Sequence, residues 1–179
     1  AKIIAEYFEI GYLDTGLLYR AVAFKTLKKY RNLSLKNALA VIGSLSGNDL
    51  SDPKLRLQKF GEIASKLAQK GQIRDALLAF QRNFPNQSNG AVLDGRDIGS
   101  IVFPEAQIKL FVTADLSVRA HRRHEEMQRM GLTISLKEVE DSLKARDERD
   151  MNRVIAPLKC LTDATVIDTT NIPFSSLKK

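Results

Sequence analysis

The stretch "VLDGRDIGSIVFP", residues 92–104, runs from an apolar strand into a cluster of charges formed by Asp94, Arg96 and Asp97. Gly95 permits an unusual backbone turn inside this cluster. Arg96 offers a planar fork of donors for phosphate oxygens, while Asp94 or Asp97 can hold a Mg²⁺-bound water or the amino group of a base. A loop of surface ion pairs is the alternative, but such pairs add little stability. We therefore predict a binding site at this strand end.

The segments around this stretch predict alternating strands and helices. Strands are predicted at 12–14, 90–94, 108–114 and 164–169. The second and third are nearly continuous apolar runs, typical of parallel strands that are covered on both faces. Helical spacing of apolar residues predicts helices over 1–10, 16–30, 34–46, 54–69, 72–84, 115–130 and 135–152. Gly11 is predicted to end the first helix and Thr15 to cap the second.

This alternation predicts an α/β fold with a doubly wound parallel sheet. In such sheets, ligands bind outside the carboxyl ends of the strands. Asp14, Asp94 and Thr113 occupy three of these ends. The charged cluster at 94–97 therefore lies where this architecture places its binding site.

The length and charge of the chain narrow the possible partners. At 179 residues, it can bury one core but is too short for two ordinary domains and a linker. The net charge of +7 favours an anionic partner. Arginines cluster at 119–129 and 146–153 with acids between them, and the chain has no Trp and four Tyr for stacking on bases. We therefore expect small phosphates and no stable nucleic-acid partner.

Cysteine and histidine usage argues against an oxidising compartment and a metal centre. Cys160 is the one cysteine, so no internal disulfide can form and we predict a cytoplasmic protein. His121 and His124 have only that distant thiol as a further ligand, so we predict no structural metal.

The uncharged stretch 38–48 is too short for a membrane span, and residues 1–10 lack signal-peptide features.

The motif "DTGLLYR", residues 14–20, places a hydroxyl at the start of a predicted helix. Thr15 and the first backbone N–H groups of that helix can bind an anion, with Arg20 further along the helix. An ordinary helix cap explains the motif equally well. The motif alone therefore leaves both interpretations open.

Two arginine groups share helical faces in the second half of the chain. In "RDERDMNR", residues 146–153, one acid can orient two guanidinium groups; the alternative is a solvated, salt-bridged face. The second group brings three positive charges together on one face, and a bound anion would relieve their repulsion. The members are Arg146, Asp150 and Arg153 in the first group, and Arg119, Arg122 and Arg123 in the second.

Arginines and strand-end acids, without a nucleophilic dyad or a metal cluster, fit phosphoryl transfer. Catalysis of that reaction depends mostly on positioning and on charge stabilisation, so no covalent intermediate is needed. Ser65 and Arg74 lie in an ordinary amphipathic pattern, and the residues alone favour a structural role for both.

The chain resembles the bacterial cytidylate kinases, the (d)CMP kinases of the P-loop nucleoside monophosphate kinase group. The similarity extends through five ordered blocks: "YLDTGLLYRAVA", "EIASKLAQKGQIRDALLAFQRNF", "AVLDGRDIGSIVFPEAQIKLFVTA", "RAHRR" and "RDERDMNRVIAPL". The resemblance implies a P-loop NTPase-type sheet of about five strands and a transfer of phosphate from ATP to CMP or dCMP, with Mg²⁺ bound alongside the nucleotide. It also implies a cytoplasmic enzyme, which we expect to be a monomer.

The resemblance also implies roles for individual residues. Thr15, Arg20 and Arg96 would hold the phosphate of the acceptor nucleotide. Four residues would contact cytosine: Ser65, Arg74, Asp97 and Arg153. For Ser65 and Arg74, this role replaces the structural one favoured above. Arg146 and Asp150 would contact the sugar and the nearby phosphate. Catalytic groups would be Arg96 and Asp94 together with the lid arginines facing the ATP phosphates, Arg119, Arg122 and Arg123.

The resemblance divides the single kinase domain into a core over 1–30, 91–120 and 154–179, an acceptor-binding insertion over about 31–90 and a lid over about 121–153. The family's phosphate-binding loop, G-x-x-x-x-G-K-[ST], has no match in residues 1–179. We therefore expect this stretch alone to be inactive, and a segment with the loop and the first strand to precede Ala1. Two alternatives are a kinase for UMP or AMP and a non-catalytic anion- or RNA-binding relative.

Overall fold

The computed structural model describes residues 1–87, 89–173 and 176. Its strands are β1 (Gly11–Asp14), β2 (Ala91–Asp94), β3 (Leu110–Thr113) and β4 (Thr165–Asp168). All of the strand pairing in this part of the chain is parallel: β1 pairs with β2, and β3 pairs with β4. The α/β class and the parallel strands agree with the prediction. The described strands form two ladders of two strands each, with β1–β2 in one and β3–β4 in the other.

The helices that alternate with these strands are α1 (Lys2–Tyr7), α2 (Thr15–Tyr30), α3 (Leu35–Ile42), α4 (Gln58–Leu67), α5 (Gly71–Asn83), α6 (Leu116–Arg129) and α7 (Leu136–Asn152). Short helical turns over Gly47–Leu50 and Pro53–Arg56 connect α3 to α4, Phe84–Gln87 forms another, and Ile98–Val102 follows the charged loop after β2. Among the described residues, no helix combines the length and apolar character that crossing a membrane requires.

Three sequence predictions about these elements are wrong. The cap of α2 is Asp14, whose side chain accepts a hydrogen bond from Leu17 N at 3.2 Å, and Thr15 is the first helical residue. Helix α1 ends at Tyr7, so Gly11 begins β1 instead of ending a helix. The third prediction, burial on both faces of β3, fails because Val112 is 62% exposed.

The main hydrophobic core joins α2 to the helices that follow it. Leu18, Val22, Ile73 and Leu77 have no more than a trace of exposed surface and form part of this cluster. A smaller cluster lies between α6 and α7 and contains Met127 with two neighbours, Ala120 and Val139. The first cluster fixes α2, α4 and α5 beside the end of the β1–β2 ladder.

Candidate active site

A cleft of about 300 Å³ lies at the carboxyl ends of β1 and β2. The register of the ladder places Asp14 opposite Asp94, so both strand-end acids belong to this cleft. Side chains from α2, α4, α5, α6, α7 and the loop after β2 complete its walls. Most of the predicted site residues line it: Thr15, Arg20, Ser65, Arg74, Asp94, Arg96, Asp97, Arg123, Arg146, Asp150 and Arg153.

Asp97 holds two arginines in the deepest part of this wall. The Arg74 guanidinium donates a hydrogen bond through Nη2 to Asp97 Oδ2, and through Nη1 to the carbonyl of Ala68 at 3.3 Å. Arg153 Nη2 lies 3.8 Å from the other carboxylate oxygen of Asp97. All three side chains are buried. The carboxylate therefore fixes both guanidinium planes, a role that buried acids fill when their charge is paired.

Asp150 on α7 holds a second group of polar side chains. Its Oδ2 accepts a hydrogen bond from Arg96 Nε at 3.1 Å and lies 3.6 Å from Arg146 Nε. Ser65 Oγ donates to Oδ1 at 3.3 Å. Because Asp150 is only 3% exposed, its charge is compensated almost entirely by these partners. The group joins α4, α7 and the loop after β2 around one carboxylate.

Arg20 lies flat against helix α4. Its Nη1 donates to the carbonyl of Leu55 at 2.8 Å, and a Cβ added at Gly61 would lie 2.9 Å from Nη2. A side chain at position 61 would therefore displace the guanidinium. Burial lowers the pKa of Arg20 to about 10, with smaller contributions from the positive charges of Arg146 and Arg123. Arg20 is still a cation at neutral pH.

The hydroxyl of Thr15 closes the junction between the two strand ends. It donates a hydrogen bond to the carbonyl of Asp94 at 2.7 Å. Any Cβ at Gly95 would overlap this hydroxyl, so the close approach requires glycine there. Burial, and then the neighbouring Asp94 charge, raise the pKa of Asp14. Burial also raises the pKa of Tyr12, and the nearby charges of Asp14 and Asp94 raise it further.

Positive charge exceeds negative charge in the cleft. Among the described residues, seven arginines and four aspartates line it. Arg146 Nε and Arg153 Nη2 are buried and have no hydrogen-bond partner within the described part of the chain. Burial lowers the pKa of both arginines, and the adjacent charges of Arg96 and Arg74 respectively lower it further. An anion with several acceptor atoms would satisfy these donors and relieve the repulsion.

Two predicted residues, Arg119 and Arg122, do not line the cleft. Arg119 on α6 donates to Asp147 at 2.6 Å and to the carbonyl of Ala114 at 2.8 Å. Arg122 donates to the backbone carbonyls of Thr169 and Ile172 at 2.6 and 2.8 Å. Both guanidinium groups thus attach α6 to neighbouring segments. Of the three α6 arginines predicted as site residues, Arg123 is the one that lines the cleft.

Sequence reasoning missed two further polar side chains that line the cleft, Tyr19 and Arg56. Tyr19 occurs one helical turn after Thr15 in "DTGLLYR", so its spacing could have revealed it. Arg56 belongs to the turn before α4, and no periodicity relates it to another cleft residue. Only the folded chain brings it there.

Comparison with known proteins decides the family. The profile described as cytidylate kinase matches residues 1–177. The chain belongs to the cytidylate kinase family. Its relatives include three proteins named cytidylate kinase, from Bradyrhizobium sp. (strain ORS 278), Paramagnetospirillum magneticum and Brucella suis biovar 1, with identities of 41%, 44% and 47%. The alignments cover 98%, 96% and 96% of this chain, and 84%, 83% and 79% of those relatives.

The match to the cytidylate kinase family therefore spans the whole cleft, since residues 1–177 include every residue that lines it. Family membership also makes the protein a nucleotide-binding transferase. The resemblance inferred from the five sequence blocks is confirmed.

Proposed function

We propose that this protein transfers a phosphoryl group from ATP to CMP or dCMP, and that the cleft between α2, α5 and α7 binds the acceptor. The observation that carries this proposal is the convergence of Arg20, Arg74, Arg96 and Arg153 on one cleft. These arginines come from four distant stretches of the chain. Asp97 and Asp150 hold three of them, Arg74, Arg96 and Arg153, in place while some of their donors face the cleft.

The acceptor phosphate would bind at the rim formed by Thr15, Arg20 and Arg96. Arg96 is exposed and uses its Nε on Asp150, so its terminal nitrogens remain available for phosphate oxygens. The Thr15 hydroxyl has one proton, which it donates to the carbonyl of Asp94 in this structure. To donate to a phosphate, this hydroxyl must rotate away from that carbonyl.

Cytosine would bind against the buried Arg74–Asp97–Arg153 group, with Ser65 beside it. Such a pocket penalises the wrong base because each buried donor or acceptor left unpaired costs about 1–3 kcal/mol. Arg153 Nη2 makes no hydrogen bond to the described residues, so it could donate one to a base carbonyl. Arg146 and Asp150 would contact the sugar and the adjacent phosphate, and Arg146 Nε is a second donor without a partner among the described residues.

The donor nucleotide would approach from the α6 side. Arg123 is the lid arginine that would contact ATP phosphates, a role supported by its position in the lining of the cleft. Arg119 and Arg122 would need to leave their present partners to do so. Asp94, with Asp14 opposite, would hold Mg²⁺, because this ion is usually bound by one or two carboxylates with phosphate oxygens and water as its other ligands. Bound Mg²⁺ supplies positive charge that neutralises the phosphates during transfer.

The two proposed mobile parts, the insertion and the lid, each pack on one of the two hydrophobic clusters. The insertion over 31–90 packs on α2, and the lid over 121–153 packs around the α6–α7 cluster. Closure of these parts over bound nucleotides would exclude water and favour transfer to CMP over hydrolysis. The cytoplasmic location and the monomeric state stay predictions of the sequence analysis.

A coupled assay with a panel of acceptors tests this proposal on the full-length protein. With ATP and Mg²⁺ present, CMP and dCMP should give the highest kcat/KM, and UMP and AMP should be poor acceptors. Higher kcat/KM with UMP or AMP would reassign the acceptor. No turnover with any of the four, together with binding of RNA, would favour the non-catalytic alternative.

A further inference from the structure

The turn Pro53–Arg56 before helix α4 is a preformed element of the cleft. Asp52 caps it by accepting a hydrogen bond from Lys54 N at 2.9 Å, and Leu57 N donates to the carbonyl of Lys54 at 3.1 Å. The side chain of Leu55 is fully buried and anchors the turn in the protein. These local contacts fix the direction of the residue that ends the turn, Arg56.

Two consecutive carbonyls of this turn hold two cleft arginines. The carbonyl of Leu55 accepts from Arg20 Nη1 at 2.8 Å. The carbonyl of Arg56 accepts from Arg123 Nη2 at 2.5 Å. The turn therefore lies between the arginine proposed for the acceptor phosphate and the arginine proposed for the donor. A third arginine, Arg56 itself, projects from the same place and lines the cleft.

The Arg56 guanidinium is weakly engaged. Within the described residues its side chain makes no hydrogen bond, and its ion pair is with Glu126, where Nη1 and Oε1 are 3.9 Å apart. The Arg56 side chain is 55% exposed, and a long ion pair in water contributes little free energy. Glu126 already accepts a hydrogen bond from Arg123 Nη1 at 2.6 Å through its other oxygen. Arg56 can therefore leave Glu126 at small cost when a stronger acceptor arrives.

We propose that Arg56 is a further substrate-binding residue and that its guanidinium binds the phosphate of the acceptor nucleotide together with Arg20. The inference rests on the proposed function, because it requires a nucleoside monophosphate in the cleft. The planar fork of arginine can give two parallel hydrogen bonds to phosphate oxygens, which its present partner does not use. Arg20 is held to the carbonyl of the residue preceding Arg56, so the two cations share one rim of the cleft.

Calorimetric titration of the full-length protein with CMP and with cytidine tests this role. Arg56→Gln should weaken CMP binding about tenfold, the loss expected for one charge-assisted hydrogen bond, and should leave cytidine binding unchanged. Arg56→Lys should recover part of the CMP affinity because the positive charge is retained. Lys54→Gln is the matched control: it removes the same charge from the same turn at a position that does not line the cleft.

Unchanged CMP affinity in Arg56→Gln would overturn the inference while leaving the proposed function intact. An equal loss of CMP and cytidine affinity would also overturn it, since it would assign Arg56 a structural role. If the unsubstituted protein bound neither CMP nor cytidine, the proposed function would fail first. Similar losses of CMP affinity in Lys54→Gln and Arg56→Gln would attribute the effect to the lost positive charge of the turn, and would also overturn the inference.

Discussion

Arg74 and Asp97 form an ion pair in which both side chains are only 8% exposed, and this pair joins helix α5 to the loop after β2. Removing one partner of a buried pair leaves an uncompensated charge, which costs about 3–5 kcal/mol. The pair also orients the Arg74 guanidinium toward the cleft. Its loss should therefore affect both stability and substrate choice.

Arg74→Ala should damage the use of CMP far more than the binding of ATP. The reason is that Arg74 belongs to the wall proposed to contact cytosine, whereas Arg123 is the arginine proposed to contact ATP. Steady-state kinetics with each substrate varied in turn, together with ATP titrations, measure the two effects.

The control for this substitution is Arg129→Ala, which removes an arginine that is 68% exposed and pairs with Glu125 at the end of α6. It should leave both substrates unaffected. Equal losses of CMP use and ATP binding in Arg74→Ala would refute the base-contacting role. Urea denaturation of Arg74→Ala separates the expected loss of stability from the loss of affinity.

Gly61→Ala should weaken CMP binding several-fold without destabilising the protein. The added methyl group would lie 2.9 Å from Arg20 Nη2, so the guanidinium must move away from the phosphate rim. Alanine is also the better helix former, by about 1 kcal/mol. Gly43→Ala is the matched control, since nothing lies within 4 Å of a Cβ there. A Gly61→Ala protein with full CMP affinity would show that CMP binding does not require the Arg20 guanidinium to lie against Gly61.

Thr15→Val should lower stability by about 1 kcal/mol, because it removes the hydroxyl that donates to the carbonyl of Asp94. It should also weaken CMP binding if that hydroxyl rotates to the phosphate. Thr15→Ser keeps the hydroxyl and should preserve affinity. Thermal denaturation and CMP titration of the two variants check these expectations. Equal CMP affinity in both variants would exclude a phosphate contact by the hydroxyl.

The capping box at the start of α7 should make part of the stability depend on pH. Hydrogen bonds from the side chain and the backbone N–H of Ser135 lower the pKa of Glu138 below its usual 4.5. A lowered pKa stabilises the fold above pH 4.5, and this contribution is lost as the pH falls through the lowered pKa. The stability advantage of the native protein over Glu138→Gln, measured by urea denaturation, should therefore shrink in acid. An advantage that did not change with pH would contradict this assignment.

Local patterns predicted the elements of the fold well, but not their ends. Helical spacing extended the predicted helix before α4 back to residue 54, whereas Pro53–Arg56 forms a separate turn and α4 begins at Gln58. Proline at the first position and the Asp52 cap favour a turn or a helix start equally. Tertiary contacts decide between them, because Leu55 is buried and its carbonyl accepts a hydrogen bond from Arg20.

The site was predicted unevenly for a physical reason. Asp97 and Asp150 could be found because acids among apolar or basic neighbours are conspicuous in one stretch of sequence. Ser65 and Arg74 sit in ordinary amphipathic patterns, and only the resemblance indicated them. The position of Arg56 depends on a contact between its turn and helix α6, which lie far apart in sequence. No local pattern encodes such a contact.

A crystal structure of the full-length protein with bound CMP tests the central claim most directly. We expect phosphate density at Arg20 and Arg96, and cytosine against the buried Arg74–Asp97–Arg153 group. CMP bound at another surface, with those side chains unchanged around an empty cleft, would contradict it.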